Sequence, residues 1–451
     1  MATHSHPPSN FTSSSPKRPR GQAEVWYPYY AGFSATFVKE VLDRLSLPAD
    51  AVILDPWNGS GTTTACAALR GYASIGIDIN PAMCLIAAGR VATRTAVDQS
   101  VSRFVLPPIV NDAHDPLSFW FSNRSASFLR GLTGALLHAA PNGQDRARSD
   151  ATRIGFHFTA LALTLRRLLS HDTSSNPTWF RSHHTTLKRS SPSSRRITSI
   201  LDESIRTLQT KLPTDSPLPR PRLYRGDSRC LPLLNESIDA IISSPPYCTR
   251  LDYPIATQPE LALLGEARRS ASFRKLRDVS LGTPTVGAEI PAVTKSWGAS
   301  CISLLEKVAT HRSKASATYY LKTYRQYFAG LHDSLCEITR VARGAARCIL
   351  VVQSSWYKDI RVDLPLITVE MMDSLGWRLL RRSDYSVRYT LADTNPASRD
   401  YRTETGAVES SLDFTKRTDL RGASSDKTAG RIHPAAADLE VRSRYGTEER
   451  K

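Results

Sequence analysis

The segment 51–78 limits what this chain can fold into more than any other part of it. It contains a short apolar run, the turn Asn58-Gly59-Ser60-Gly61, a stretch of helix-forming residues and a second apolar run that ends at Asp78. This is the pattern of a β-strand, a turn, an α-helix and a second strand, which opens a doubly wound sheet. We therefore expect an α/β protein with such a sheet at its centre.

The turn in this segment is of the kind that binds a nucleotide-like ligand. Gly59 and Gly61 carry no Cβ atom, so a ligand can approach the backbone closely. Asp55 ends the first strand and can accept hydrogen bonds from a cationic or hydroxyl-bearing ligand. Asp78 ends the second strand, where a carboxylate commonly binds ribose hydroxyls.

Three classes of ligand compete for such a turn. A dinucleotide-binding turn has a third glycine where this chain has Thr64, and an ATP-binding loop has a lysine where it has Thr62. S-adenosylmethionine remains, because its adenosine and methionine ends suit an acid on both sides of a glycine turn. A tight strand-to-helix turn that binds no ligand is the alternative interpretation of these residues taken alone.

A second motif, Ser244-Pro245-Pro246-Tyr247, directly follows another predicted strand at 239–243. Together, DPWNGSGTT and SPPY resemble the first and fourth motifs of the amino-methyltransferases of DNA. Two further segments support this resemblance. WYPYYAGFSATFVKEVL is similar to the family segment beside the methionine part of the cofactor, and the GDS that precedes the SPPY strand is similar to its adenine-contacting segment.

The resemblance implies the Rossmann-like doubly wound fold of the class I methyltransferases, with helical and irregular insertions. It also implies S-adenosylmethionine as cofactor and double-stranded DNA as partner. The implied cofactor-binding residues are Tyr30, Phe33, Asp55, Pro56, Gly59, Gly61, Thr62, Asp78 and Asp227. The implied catalytic residues are Ser244, Pro245, Pro246 and Tyr247.

The chemistry of the family explains the second motif. An exocyclic amino nitrogen is a poor nucleophile because its lone pair is delocalised into the base. By analogy, the Ser244 hydroxyl and the Pro245 carbonyl accept its two N–H bonds and direct the lone pair at the cofactor's methyl group. The prolines fix the direction of that carbonyl, and Tyr247 stacks on the flipped base. Cys248 does not follow a proline directly, so we interpret it as a structural thiol.

The target base is indicated only by association. Serine at the first position of this motif is commoner in the family among enzymes that methylate N4 of cytosine, and aspartate among those that methylate N6 of adenine. Ser244 therefore favours cytosine N4.

The chain divides by composition into several parts. They are a disordered basic tail (1–24), a cofactor-binding first part (25–94), a helical basic insertion (95–222), a catalytic second part (223–390) with an irregular basic stretch (266–318), and a polar tail (391–451). The basic segments 171–225 and 266–318 are the candidates for DNA recognition.

The net charge favours a polyanionic partner. The chain has 59 Lys and Arg against 42 Asp and Glu, a formal net charge of +17, and basic side chains beside phosphates release condensed counterions. The seven cysteines include no C-x-x-C pair, so we expect no metal site. No apolar run is long enough to span a bilayer, and we expect a cytoplasmic protein.

Two other functions share some of these features. An RNA methyltransferase also uses a Pro-Pro-Tyr motif, and a nucleic-acid-binding protein could retain the fold without catalysis. The second is disfavoured because the glycine-turn residues, both strand-end acids and Ser244 are all present. Enzymes of this family commonly serve restriction-modification or antiphage systems. We identify no nuclease motif, so a restriction endonuclease or other defence partner would be a separate protein.

Overall fold

A computed structural model describes residues 12, 14–16, 25–28, 32, 34–94, 97, 114–138, 146–169, 189–213, 219, 221–249, 251–287, 289–387 and 406–417. The strands are β1 (Val52–Asp55), β2 (Ala73–Asp78), β3 (Arg222–Arg225), β4 (Ile238–Ser243), β5 (Ala342–Gln353), β6 (Ser355–Tyr357), β7 (Ile360–Val362), β8 (Trp377–Val387) and β9 (Ala407–Lys416). The helices are α1 (Ala35–Leu45), α2 (Thr62–Leu69), α3 (Pro81–Gly89), α4 (Asn123–His138), α5 (Arg146–Leu168), α6 (Ser194–Gln209), α7 (Tyr253–Ala256), α8 (Gln258–Leu263), α9 (Ala271–Val279), α10 (Ala299–Thr310), α11 (Leu321–Val341) and α12 (Leu364–Ser374).

Seven of the strands form one sheet in the order β3-β2-β1-β4-β5-β9-β8. The first five are parallel, and β9 runs antiparallel between β5 and β8. The chain moves outward from β1 to β3 and then returns to β4 on the other side of β1. This order confirms the predicted Rossmann-like doubly wound sheet, and its switch point between β1 and β4 is where such sheets bind ligands.

Both faces of the sheet are covered, so its central strands are apolar on both sides. Ile53, Ile242 and Ile349 pack with α1 and α2 on one face. Their neighbours Leu54 and Ile241 pack with α10, α11 and α12 on the other. The alternation follows from the two-residue period of a strand. It fixes the register and therefore the side chains that reach the strand ends.

The insertion forms a helical layer on α3. Its helices α4, α5 and α6 share a core with α3, α8 and α9. The crossing of α3 with α5 requires glycine on both sides: a Cβ added at Gly89 would lie 2.5 Å from the carbonyl carbon of Gly155. The insertion is therefore packed directly on the helix that follows Asp78.

Two expectations about irregular or polar segments were wrong. The stretch 266–318 contains α9 and α10. In α9 only Phe273 and Leu276 are buried, so two apolar residues are all that marks this charged segment as packed. The expected polar tail contains β9, an internal strand of the sheet.

Polar residues of β9 are tolerated inside the sheet because neighbouring strands supply partners. Asp413 forms an ion pair with Arg347 of β5 at 2.6 Å. Ser410 donates a hydrogen bond to Asp384 of β8 at 2.6 Å. No helix in the described ranges is long and apolar enough to cross a membrane.

Candidate active site

The sequence-predicted acids and the SPPY turn meet at one edge of the sheet. Asp55 is the last residue of β1 and Asp78 the last residue of β2. Asp227 lies two residues beyond β3, and Ser244 directly follows β4. These four strands are parallel neighbours, so their carboxyl ends lie side by side and form the crevice in which such folds bind ligands.

The glycine turn is fixed by hydrogen bonds to β2 and α2. The backbone N–H of Asn58 donates to the carbonyl of Ile77 at 2.9 Å, and the Asn58 side chain accepts from Thr64 at 3.0 Å. That side chain fills the space where a Cβ of Gly76 would lie. Asn58 was not among the predicted site residues, although it stands inside the first motif.

Gly59 and Gly61 both have positive φ angles, 48° and 75°. A Cβ on Gly61 would lie 2.8 Å from the Cβ of Ala87 in α3. The start of α2 therefore approaches α3 closely at Gly61, and this packing requires glycine there. Thr62 directly follows, and its hydroxyl accepts a hydrogen bond from Arg90 at 2.9 Å. The buried Pro56 begins the turn directly after β1.

Asp55 joins the two motifs. Its Oδ1 accepts hydrogen bonds from the hydroxyl of Ser243 at 2.5 Å and from the backbone N–H of Trp57 at 3.2 Å. Its Oδ2 is buried and has no hydrogen-bond partner within the described chain. Burial raises the pKa of this carboxyl to about 6, although the hydrogen bond from Ser243 partly offsets the effect.

Asp78 closes the glycine turn from the β2 side. Its two oxygens accept hydrogen bonds from the backbone N–H groups of Gly59 and Asn80, each at 2.8 Å. Desolvation raises its pKa to about 6 as well. Asn80 in turn caps α3 and donates from its side chain to Thr257 at 2.8 Å. The Asp78 loop is thereby tied to the segment that follows the SPPY turn.

Asp227 is placed beside Asp78 because the backbone N–H of Gly226 donates to the Asp78 carbonyl at 3.0 Å. Its carboxylate forms an ion pair with Arg229, with a shortest distance of 2.6 Å. Arg229 also donates to the carbonyl of Val279 at 2.9 Å, at the end of α9. Asp227 therefore lies at the carboxyl edge of the sheet. Its carboxylate is ion-paired with Arg229, which was not among the predicted site residues.

The two prolines of the SPPY turn differ in whether their carbonyl has a hydrogen-bond donor. Tyr327 of α11 donates its hydroxyl to the carbonyl of Pro246 at 2.7 Å. In the part of the chain that the structure describes, no group donates to the carbonyl of Pro245. The Ser244 hydroxyl lies 3.1 Å from the carbonyl of Val351 and 3.3 Å from the Tyr247 hydroxyl, and can donate to either. Whichever it uses, its oxygen lone pairs remain able to accept.

Tyr247 is held by a residue from the far end of the chain. Its hydroxyl donates to Glu409 of β9 at 2.9 Å. Burial, reinforced by the charge of Glu409, raises the pKa of Tyr247 well above its usual value. Glu409 itself is 4% exposed. Glu409 was not among the predicted site residues, because the sequence of β9 indicates a polar tail.

Some residues singled out in the sequence lie outside the described ranges or away from the edge of the sheet. Tyr30 and Phe33 lie outside the described residues, as do residues 171–188, 214–218 and 220 of the basic segment 171–225. Cys248 is buried in the core beneath the turn. No cluster of potential metal ligands occurs within the ranges that the structure describes.

Comparisons with known proteins find similarity in sequence to methyltransferases of DNA over part of the chain. A family model described as DNA methylase matches residues 7–89. The chain is 25% identical over 285 residues to the Type II methyltransferase M.BsoBI of Geobacillus stearothermophilus, an alignment that covers 57% of this chain and 55% of that protein. The chain thus spans about half the length of this relative.

Solved structures also align with the chain. One is a SAM-dependent methyltransferase from Methanosarcina mazei, at 9% identity and a TM-score of 0.30, covering 83% of this chain and 97% of that one. Another is the [4+2]-cyclase SpnF, at 11% identity and a TM-score of 0.32, covering 87% of this chain and 86% of that one. At scores this low, the fold assignment rests on the strand order itself.

The residues at this edge fit S-adenosylmethionine. The cofactor carries positive charge and ribose hydroxyls, and the edge presents three carboxylates around a glycine turn. The buried Oδ2 of Asp55, which has no hydrogen-bond partner in the described chain, is an acceptor that a donor group of the cofactor could satisfy.

The two raised pKa values predict a pH dependence of cofactor binding. Asp55 and Asp78 become protonated as the pH falls through about 6, and each then loses its attraction for a cationic ligand. We expect the affinity for S-adenosylmethionine, measured by calorimetry, to fall between about pH 7 and pH 5. An Asp78→Asn variant should bind more weakly at neutral pH and show a smaller pH dependence. Equal affinity of the unmodified protein at both pH values would contradict this assignment.

The free energy of unfolding of the ligand-free protein should rise as the pH falls, whereas the affinity for the cofactor should fall. The folded-state pKa values of about 6 lie above the value of about 4 expected for an unfolded aspartate. The native state therefore binds more protons between these values, and the contribution of the two groups to stability falls as the pH rises through this window. Thermal unfolding across the same pH range measures this effect.

Proposed function

We propose that this protein is an S-adenosylmethionine-dependent DNA methyltransferase that methylates an exocyclic amino group, with N4 of cytosine favoured over N6 of adenine. The observation that carries the proposal is the hydrogen bond from Ser243 to Asp55 at 2.5 Å. It links the last residue of the strand before the SPPY turn to the acid beside the glycine turn. This contact supports the proposal that the amino-group acceptors and the cofactor-binding residues belong to one site.

Each residue of the turn has a chemical task in this proposal. The Ser244 oxygen and the Pro245 carbonyl accept the two N–H bonds of the target amino group, which directs the nitrogen lone pair outward. The hydrogen bond from Tyr327 to Pro246 fixes the backbone around these acceptors. Tyr247 presents its ring to the flipped base, in an orientation set by the contact of its hydroxyl with Glu409. S-adenosylmethionine supplies an electrophilic methyl group when it is bound.

The target base is proposed as cytosine because of Ser244, since serine at this position is commoner among the cytosine-N4 enzymes. The match to a DNA methylase family model and the similarity to a Type II methyltransferase support DNA as the substrate. Enzymes of the family that these motifs resemble commonly act beside a separate restriction endonuclease or another defence-system partner. We propose that this pairing is the biological setting of the enzyme.

Helix α9 is proposed as part of the DNA interface. Arg269, just before it, and Arg274 and Lys275 within it are exposed. Arg277 holds the helix in place through an ion pair with the buried Asp252, at 2.7 Å, a few residues beyond the SPPY turn. The exposed charges are thus fixed beside the catalytic segment, where a flipped base would leave the duplex.

Removing the exposed charges of α9 should weaken DNA binding and reduce its salt dependence. We expect the triple variant Arg269→Ala/Arg274→Ala/Lys275→Ala to lower the slope of log K against log salt by about 1 for each phosphate that the protein no longer neutralises. Fluorescence anisotropy with duplex DNA at several salt concentrations measures the slope. The control is Arg44→Ala, in the last turn of α1 before the chain enters β1 at the opposite edge of the sheet. An unchanged slope in the triple variant would exclude α9 from the interface.

The proposed activity is tested with purified protein and methyl-labelled S-adenosylmethionine. PCR-amplified genomic DNA, which carries no methylated bases, and RNA transcribed from it serve as competing substrates. We expect label in the DNA, recovered as N4-methylcytosine after digestion. Label in RNA alone would replace the proposal with an RNA methyltransferase. Cofactor binding without transfer to either would indicate a non-catalytic protein.

A further inference from the structure

A chain of hydrogen bonds runs from the target-binding serine to a buried carboxylate. The Ser244 hydroxyl lies within 3.3 Å of the Tyr247 hydroxyl, which donates at 2.9 Å to Glu409 Oε1. The three groups come from the end of β4 and from the start of β9. Hydrogen bonds at catalytic sites are often long before substrate binds and shorten in the complex, so the 3.3 Å contact is compatible with proton transfer.

Glu409 is held firmly at this position. It pairs in register with Gln353 of β5 and with Tyr385 of β8. The start of its strand is pinned by two hydrogen bonds of 2.9 Å between Val408 and Ser354. A carboxylate that is 4% exposed is costly to bury, and such groups cluster at functional sites. Its position at the ligand-binding edge of the sheet gives it access to the reaction.

We propose that Glu409 is the terminal acceptor of the proton that the target amino group releases, through Tyr247 and Ser244. This inference rests on the function proposed above and adds a residue that the SPPY motif does not contain. Glu409 acts through Tyr247 and does not touch the base.

The transfer balances in atoms and charge. The bond between the cofactor's sulfur and its methyl carbon breaks with the electron pair left on sulfur, and the nitrogen lone pair forms the new N–C bond. One N–H bond then breaks and its electron pair returns to nitrogen. The proton passes to the Ser244 oxygen while the Ser244 proton passes to Tyr247 and the Tyr247 proton to the Glu409 carboxylate. The cofactor loses its positive charge and Glu409 loses its negative charge.

The variant Glu409→Gln separates proton acceptance from structure. The amide oxygen of glutamine can still accept the hydrogen bond from Tyr247, but glutamine cannot take up the proton. We expect the single-turnover rate of methyl transfer to fall about 10²-fold, the usual size of a general-base contribution. Calorimetric affinities for S-adenosylmethionine and for duplex DNA should stay unchanged, as should the thermal midpoint. Glu370→Gln, which alters a carboxylate that accepts from Ser300 at the start of α10, should leave the rate unchanged.

Tyr247→Phe keeps the aromatic ring but interrupts the chain of hydroxyls. If the two residues act as one unit, the double variant Tyr247→Phe/Glu409→Gln should be no slower than the slower of the single variants. Additive losses would overturn the relay, as would a Glu409→Gln variant with the wild-type rate. Weakened ligand affinity or a lowered thermal midpoint in Glu409→Gln would show that the carboxylate is only structural. An inactive wild-type protein would instead refute the proposed function, so the two failures are distinguishable.

Discussion

Replacing Glu260 by alanine is expected to lower the free energy of unfolding by about 3–5 kcal/mol, because it leaves the charge of Arg166 buried without its counter-ion. The Glu260 side chain is fully buried, and that of Arg166 is 18% exposed. Arg166 donates to Glu260 at 2.6 Å, to the Tyr27 hydroxyl at 2.6 Å and to the carbonyl of Ala256 at 2.9 Å. Tyr27 also contacts Glu260 directly.

This network matters because it joins three distant parts of the chain. Tyr27 precedes α1, Arg166 belongs to the insertion helix α5, and Glu260 belongs to α8, shortly after the SPPY turn. A second insertion residue, Arg130 of α4, donates to the carbonyl of Ala262 in α8 at 2.7 Å. The insertion therefore fixes the position of α8, the helix that follows the SPPY turn, through hydrogen bonds from Arg130 and Arg166.

The matched control for Glu260→Ala is an exposed ion pair between the same insertion helices. Arg167 of α5 and Glu203 of α6 lie 2.7 Å apart with 45% and 57% of their side chains exposed. Glu203→Ala should change stability by only about 0–1 kcal/mol. The double variant Arg166→Met/Glu260→Leu should recover much of the loss, since neither charge then remains buried. Denaturant unfolding measures all three, and a Glu260→Ala loss no larger than that of Glu203→Ala would contradict the argument.

Ser244→Ala is expected to slow methyl transfer by about 10²-fold or more, because one of the two preorganised acceptors of the amino group is removed. The affinity for S-adenosylmethionine should change little, since Ser243 and not Ser244 donates to Asp55. Single-turnover kinetics with saturating cofactor and DNA isolate the effect on the chemical step.

The control for this variant removes a different hydrogen bond from the same turn. Ser355 donates its hydroxyl to the carbonyl of Cys248 at 3.1 Å. Ser355→Ala should therefore perturb the turn without removing an acceptor of the amino group, and its rate should remain close to that of the wild type. If both variants lose activity equally, the effect of Ser244 is structural, and its proposed role is wrong.

Local pattern was sufficient to place three of the candidate residues at one edge of the sheet. Asp55, Asp78 and Ser244 each stand where an apolar strand ends, and parallel strands place such residues together. The prediction required only the strand positions and the rule that doubly wound sheets bind ligands at their carboxyl ends. Asp227 was implied by the resemblance of its segment to the family. Its ion pair with Arg229 could not be predicted, since both residues lie in a loop without periodicity.

The residues that local pattern could not reveal depend on long-range packing. Glu409 lies in β9, whose polar sequence resembles a surface segment until the partners of Asp413 and Ser410 on neighbouring strands are known. Arg166 and Glu260 each look like solvated charges on a helix, and only the tertiary structure pairs them in the interior. The packing of Gly61 against Ala87 of α3 could not be predicted either, because it depends on how two helices meet in the folded chain.

The proposed reaction is the methylation of an amino group of a DNA base. We would test it by nucleoside mass spectrometry on DNA from cells expressing the protein, beside cells expressing Ser244→Ala at the same level. We expect N4-methylcytosine in the first DNA and little or none in the second. N6-methyladenine with the same dependence on Ser244 would retain the mechanism and correct the base. An absence of modified bases, from a folded protein that binds S-adenosylmethionine, would contradict the claim.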